Sequence, residues 1–99
     1  MKQNNLAFLQ QLEDIIVARR EAPVADSYTS SLFAAGTQRI AQKVGEEAVE
    51  VALAACNDGA DKVADEAADL IYHLLVLLAD QKITMAEVAT VLESRHAET

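Results

Sequence analysis

The chain of 99 residues has no tryptophan, two tyrosines, two phenylalanines, one proline, three glycines and one cysteine. The lone Cys56 excludes an internal disulfide framework and suits a reducing compartment. So few glycines and prolines, with little β-branched alternation, argue against a strand-and-turn architecture. Cationic residues are scarce as well: eight Lys and Arg stand against sixteen Asp and Glu, a formal net charge of −8. That balance opposes non-specific attraction to nucleic acid or to an anionic membrane. A polyphosphate can still bind such a surface where metal ions bridge the two. The longest apolar stretch, Leu70 to Ala79, is interrupted by His73 and is too short to span a bilayer. Residues 1–5 open no apolar run of the kind a signal peptide needs, so the cytoplasm is the expected location.

What the chain does have is alanine, nineteen of them, and 52% hydrophobic residues overall. Alanine is the best helix former and lets helices approach closely. Residues 1–99 therefore read as a single all-α domain, burying roughly 60–70% of its unfolded surface. Asn4 or Asn5 can cap a first helix carrying Leu6, Leu9, Leu12, Ile15 and Ile16 at helical spacing, closed by Pro23. Ala25 to Ser31 reads as a hydroxyl-rich loop. Its Ser27 and Thr29 serve as helix caps or as contacts to phosphate or ribose. Ser31 to Ala35 gives one or two helical turns, and Gly36-Thr37 breaks the chain before a long helix.

The centre is a helical hairpin, about 37–56 and 61–81, with a turn near Asp58-Gly59 and flanking N- and C-terminal helices. Gly45 sits inside the first long helix at a cost of about 1 kcal/mol against Ala, which predicts a neighbouring backbone close by. On that helix Arg39, Lys43, Glu46, Glu47 and Glu50 share one arc of about 100°. On the second, Lys62, Asp65, Glu66, Asp69 and His73 share one side. Glu47 and Asp69 are equally far from Asp58, as are Glu50 and Glu66, so an antiparallel hairpin sets four carboxylates in two level rungs. A solvated acidic face is the ordinary explanation of such charge runs. Here the acids border the apolar arc and oppose one another, which strains the fold unless a cation neutralises them. Oxygen donors at this density favour Mg²⁺ or Mn²⁺ over zinc.

The same symmetry sets His73 opposite Lys43, with Arg39 one turn beyond, so a cationic end follows the anionic rungs. His73 alone equally suits a satisfied, half-buried histidine. Metal ligands followed by bases suit hydrolysis of a phosphoanhydride, in which a carboxylate takes the proton of the attacking water. The second long helix is apolar almost all round from Leu70 to Leu78, more than this chain can cover alone. A homodimer that completes a helical bundle is the expected solution.

The runs Ser27-Tyr28-Thr29, Leu32-Phe33, Gly36, Arg39-Ile40, Gln42 to Glu47 and Glu50 resemble the phosphoribosyl-ATP pyrophosphohydrolase family. So do Glu66 to Leu78 and the closing Arg95-His96. The resemblance implies an all-α fold of the MazG-like nucleotide pyrophosphohydrolases, whose ExxE and ExxD pattern falls on Glu47, Glu50, Glu66 and Asp69. It implies Mg²⁺-dependent hydrolysis of phosphoribosyl-ATP to phosphoribosyl-AMP and pyrophosphate, the second step of histidine biosynthesis, in a stand-alone form. On that reading Glu47, Glu50, Glu66 and Asp69 hold metal, and Glu46 supports them or activates water, with Glu47 beside it in the catalytic set. Lys43, Arg39, His73, Ser27 and Thr29 hold the nucleotide's phosphates. Two alternatives stand: a house-cleaning hydrolase of noncanonical nucleoside triphosphates, and a non-catalytic helical dimerisation module.

Overall fold

A computed structural model describes residues 4–97, and residues 1–3 of the segment read for a signal peptide lie outside them. Five helices follow one another: α1 (Ala7–Glu21), α2 (Tyr28–Ala35), α3 (Thr37–Asn57), α4 (Ala60–Asp80) and α5 (Met85–Arg95). Among the described residues there is no strand, as the alanine-rich composition requires. None of these helices is long and apolar enough to cross a membrane.

The hairpin of α3 and α4 is the frame, and its ends lie within one residue of the expected 37–56 and 61–81. Gly59, at φ +95°, makes the turn, in a conformation that a side chain would strain. Asp61 stands in the first turn of α4 rather than capping it. There a carboxylate still suits the positive helix end. At the other end of the hairpin Gly36, at φ +99°, breaks α2 from α3 as its sequence position predicts.

One expectation is corrected. The run from Tyr28 to Ser31 is helical, not loop, with Ser27 as its N-cap and the other hydroxyls bonded within the chain. Ser27 Oγ accepts from Ser30 N at 3.1 Å, Ser31 Oγ donates to the Tyr28 carbonyl at 2.6 Å, and Ser30 Oγ accepts from Val24 N at 3.0 Å.

The core sits at the open end of the hairpin. Ile16 of α1, Leu32 of α2, Ile40 of α3 and Leu75, Val76 and Ala79 of α4 are buried together. Two polar ties hold that end. Arg20 donates to the Ala79 carbonyl at 2.6 Å, where a cation suits a helix C-terminus, and Thr37 donates to Asp80 at 2.7 Å. The helix α5 opens on a capping box of Thr84 and Glu87, and its Met85 N–H donates to Glu13 of α1 at 2.7 Å. It buries no residue of its own.

Much apolar surface stays open. Leu6 and Phe8 of the N-terminal region, Val49 and Leu53 of α3, Ile71 and Leu74 of α4, and Val91 and Leu92 of α5 are all exposed. The accessible surface is 7058 Å², where a compact monomer of 10.7 kDa presents about 5500 Å². The radius of gyration, 14.9 Å, likewise exceeds the roughly 12.6 Å of a compact domain this long. A second expectation also fails: a Cβ at Gly45 meets no atom within 4 Å among the described residues, so none of their backbone packs there.

Candidate metal and phosphate site

The antiparallel hairpin brings Glu47 of α3 against Glu66 and Asp69 of α4, with one carboxylate oxygen of each within 4.8 Å of the others. The expected Glu47–Asp69 rung is therefore present. Glu66 joins it from one turn earlier, while Glu50 is exposed and outside that trio. Glu47 and Glu66 are only partly exposed, so their mutual repulsion is screened less than that of surface acids.

Lysines balance part of this charge. Lys43 Nζ lies 3.3 Å from Glu47, and Lys62 Nζ lies 3.1 Å from Glu66, each four residues earlier on the same helix. Lysine preceding glutamate is the weaker orientation for stabilising a helix. Neutralising the acid trio explains both pairs better than helix propensity does. The Glu66 hydrogen bond holds the Lys62 ammonium above the ordinary lysine range. For Lys43, burial pulls downward but is outweighed by the Glu47 hydrogen bond, the Tyr28 phenol and the charges of Glu47 and Glu46. Asp69 has no cation within ion-pair distance among the described residues.

Glu46 stands beside the trio on the exposed side. Gln42 Nε2 donates to it at 2.8 Å and Lys43 lies 3.5 Å away. The Gln42 bond, with help from Lys43 and Arg39, holds its carboxyl below the usual range. Arg39 is exposed, within electrostatic range of Glu46.

His73 is buried, 6% exposed, with both ring nitrogens engaged. Its Nδ1 lies 2.7 Å from the Asp69 carbonyl, which can only accept, so Nδ1 carries the proton and donates. Nε2 is left to accept from the Tyr28 hydroxyl at 3.0 Å in the neutral imidazole. The ring thus links the backbone of Asp69 to the first residue of α2. Beside it, the Thr29 and Tyr72 hydroxyls are hydrogen-bonded, and burial pushes the Tyr72 phenol up. Ser27 and Thr29, expected near phosphate, thus make hydrogen bonds within the chain.

The donor set suits a hard divalent cation. Three carboxylates from two helices supply only oxygen, and no sulfur or imidazole joins them among the described residues. Three features carry no sequence signal strong enough to find: the reach of Glu66 into the Glu47 level, the Tyr28–His73 bond, and the restraint of Glu46 by Gln42. Only the last had a trace, an i, i+4 spacing.

The phosphoribosyl-ATP pyrophosphohydrolase family pattern matches residues 9–96. Among curated proteins, the chain is 52% identical over 95 residues to the histidine biosynthesis bifunctional protein HisIE of Vibrio parahaemolyticus. That match covers 96% of this chain and 45% of the relative. It is 53% identical over 89 residues to the same-named protein of Salmonella typhi, covering 90% and 44%. With that of Buchnera aphidicola it shares 47% over 98 residues, covering 99% and 47%. The chain spans about half the length of these relatives.

Proposed function

Because the chain belongs to the phosphoribosyl-ATP pyrophosphohydrolase family, we propose that it hydrolyses phosphoribosyl-ATP to phosphoribosyl-AMP and pyrophosphate, the second step of histidine biosynthesis. The observation that carries this reading is the convergence of Glu47, Glu66 and Asp69 across the hairpin, inside a segment matched by the family pattern from end to end.

Glu47, Glu66 and Asp69 hold Mg²⁺, or Mn²⁺ in its place, with Glu50 one turn away as the fourth carboxylate. When bound, the ion polarises the phosphoanhydride and acidifies a water. Glu46 is the residue proposed to take that water's proton, aimed by Gln42 and Lys43. The water oxygen bonds to phosphorus as the bridging P–O bond breaks, and pyrophosphate leaves with the bridging oxygen. Lys43 and Arg39 offer cations to the phosphate oxygens as Lys43 exchanges its carboxylate partners for substrate. Ser27, Thr29 and His73 contribute by fixing the start of α2 beside those cations.

The open apolar faces and the excess of exposed surface support a homodimer, since a standard interface buries about 800 Å² on each partner. Cytoplasmic residence and the lack of attraction to nucleic acid accord with the single exposed Cys56 and the net charge of −8.

The test is a substrate panel. Purified chain with Mg²⁺ should release pyrophosphate from phosphoribosyl-ATP in strong preference to dUTP or dCTP. Equal turnover of the deoxynucleotides would make it a house-cleaning hydrolase, and no release from any substrate would leave a non-catalytic module.

A further inference from the structure

Tyr28 is one of only four Phe and Tyr residues in the chain, and its placement is unusual. The residue is 51% exposed, yet three interactions fix the orientation of its ring. Its hydroxyl donates to the buried Nε2 of His73. The ring of Tyr72 lies nearly parallel to it, at 6.2 Å and 26°, and the ring of His73 meets it edge-on at 5.8 Å. His73 is itself fixed from behind by the Asp69 carbonyl. A surface tyrosine that only filled space would need none of this restraint. What the three interactions leave is a pre-oriented aromatic surface open to solvent.

The position of that surface gives it a use. Tyr28 lies within electrostatic range of Lys43, which is paired to Glu47 of the acid trio. Lys43 and His73 are each four residues from Glu47 and Asp69, so the level of His73, to which Tyr28 is bonded, is about 6 Å along the hairpin from that of the carboxylates. Lys43, a cation offered to phosphate, is near both Tyr28 and Glu47. A ligand with its phosphates at Lys43 and the carboxylates has its other end near Tyr28.

We infer that the exposed ring of Tyr28 is the stacking platform for the purine base of the nucleotide, held in place by His73 and Tyr72. This rests on the proposed hydrolysis of an adenine nucleotide. A rigid ring loses little freedom on binding, and every base offers a π face to it. Tyr28 is accordingly a binding residue, and His73 a positioning residue that acts through it.

The chain has no tryptophan, so tyrosine emission can be read directly. In a Tyr72→Phe chain Tyr28 is the one remaining tyrosine. AMP with Mg²⁺ should quench its emission saturably, and ribose 5-phosphate should not. By calorimetry, Tyr28→Leu should weaken AMP binding roughly 5- to 150-fold, the range for loss of one stacked base. Pyrophosphate binding should change less than about twofold, and Tyr28→Phe should restore AMP binding to within a few fold. Absent quenching, or an equal loss of AMP and pyrophosphate in a Tyr28→Leu chain of unchanged helicity, overturns the platform. If Tyr28→Leu fails to fold, the quenching experiment alone decides. Failure of the wild type to turn over phosphoribosyl-ATP while AMP still quenches Tyr28 overturns the proposed reaction and leaves the platform standing.

Discussion

Replacing Asp69 by Asn should stabilise the metal-free protein and at the same time remove its response to Mg²⁺. Asp69 is the member of the acid trio with no cation in ion-pair distance among the described residues, and its neighbours' oxygens lie within 4.8 Å. Two unit charges at that separation repel by about 0.9 kcal/mol in bulk water. Asp69 is exposed, so the bulk-water figure is the appropriate one. Lys43 and Lys62 offset part of the repulsion from Glu47 and Glu66. A net gain of about 0.5–1 kcal/mol remains for Asp69→Asn, since the two residues have similar helix propensity. In a domain this small that raises the melting temperature by about 2–8 °C in EDTA. Mg²⁺ at ten times its Kd adds about 1.4 kcal/mol to the wild type. The corresponding rise of about 6–11 °C should vanish in the variant. Calorimetric melting of both chains in EDTA and in Mg²⁺ gives the four numbers. A variant that melts below the wild type in EDTA, or that gains as much from Mg²⁺, would refute the reasoning.

Gly45→Ala fills open space in an exposed stretch of α3, and should stabilise the chain by about 1 kcal/mol in urea unfolding. Destabilisation would mean that a second copy packs against Gly45. Ile40→Ala leaves a cavity where Ile40 is fully buried, and should lower stability by about 2–5 kcal/mol by the same measurement. Gln42→Ala removes the largest influence holding the Glu46 carboxyl below its ordinary range, so the Glu46 pKa rises. If Glu46 takes the proton, the acid limb of the pH–kcat profile then moves to higher pH. An unmoved limb assigns that titration to another group.

The hairpin was legible because its signals are local and strong. Gly36 and Gly59 mark its breaks, and the apolar positions repeat with helical period for six turns. The Glu47–Asp69 rung followed from simple symmetry about Asp58. The same symmetry could not show that Glu66 reaches the Glu47 level while Glu50 does not, because side-chain reach is not a property of backbone register. The start of α2 was misread for a related reason. Ser and Thr suit both caps and loops, and the structure puts Ser27 in the capping role, accepting from Ser30 N, so that the helix starts three residues earlier than expected. Sequence also left His73 between two uses. Its Nδ1 meets the Asp69 carbonyl four residues back, but its Nε2 is filled by Tyr28, forty-five residues away in the chain.

Initial rates of pyrophosphate release from phosphoribosyl-ATP, measured for the wild type and Glu47→Gln with Mg²⁺ and with EDTA, test the acid cluster most directly. Glu47 is the one α3 carboxylate in the trio, so its loss should unhinge a site that spans both helices. The predicted result is Mg²⁺-dependent release by the wild type, abolished by EDTA and reduced at least a hundredfold in Glu47→Gln of unchanged helicity. Release that persists in EDTA, or a Glu47→Gln rate within a few fold of the wild type, contradicts a metal site at the hairpin.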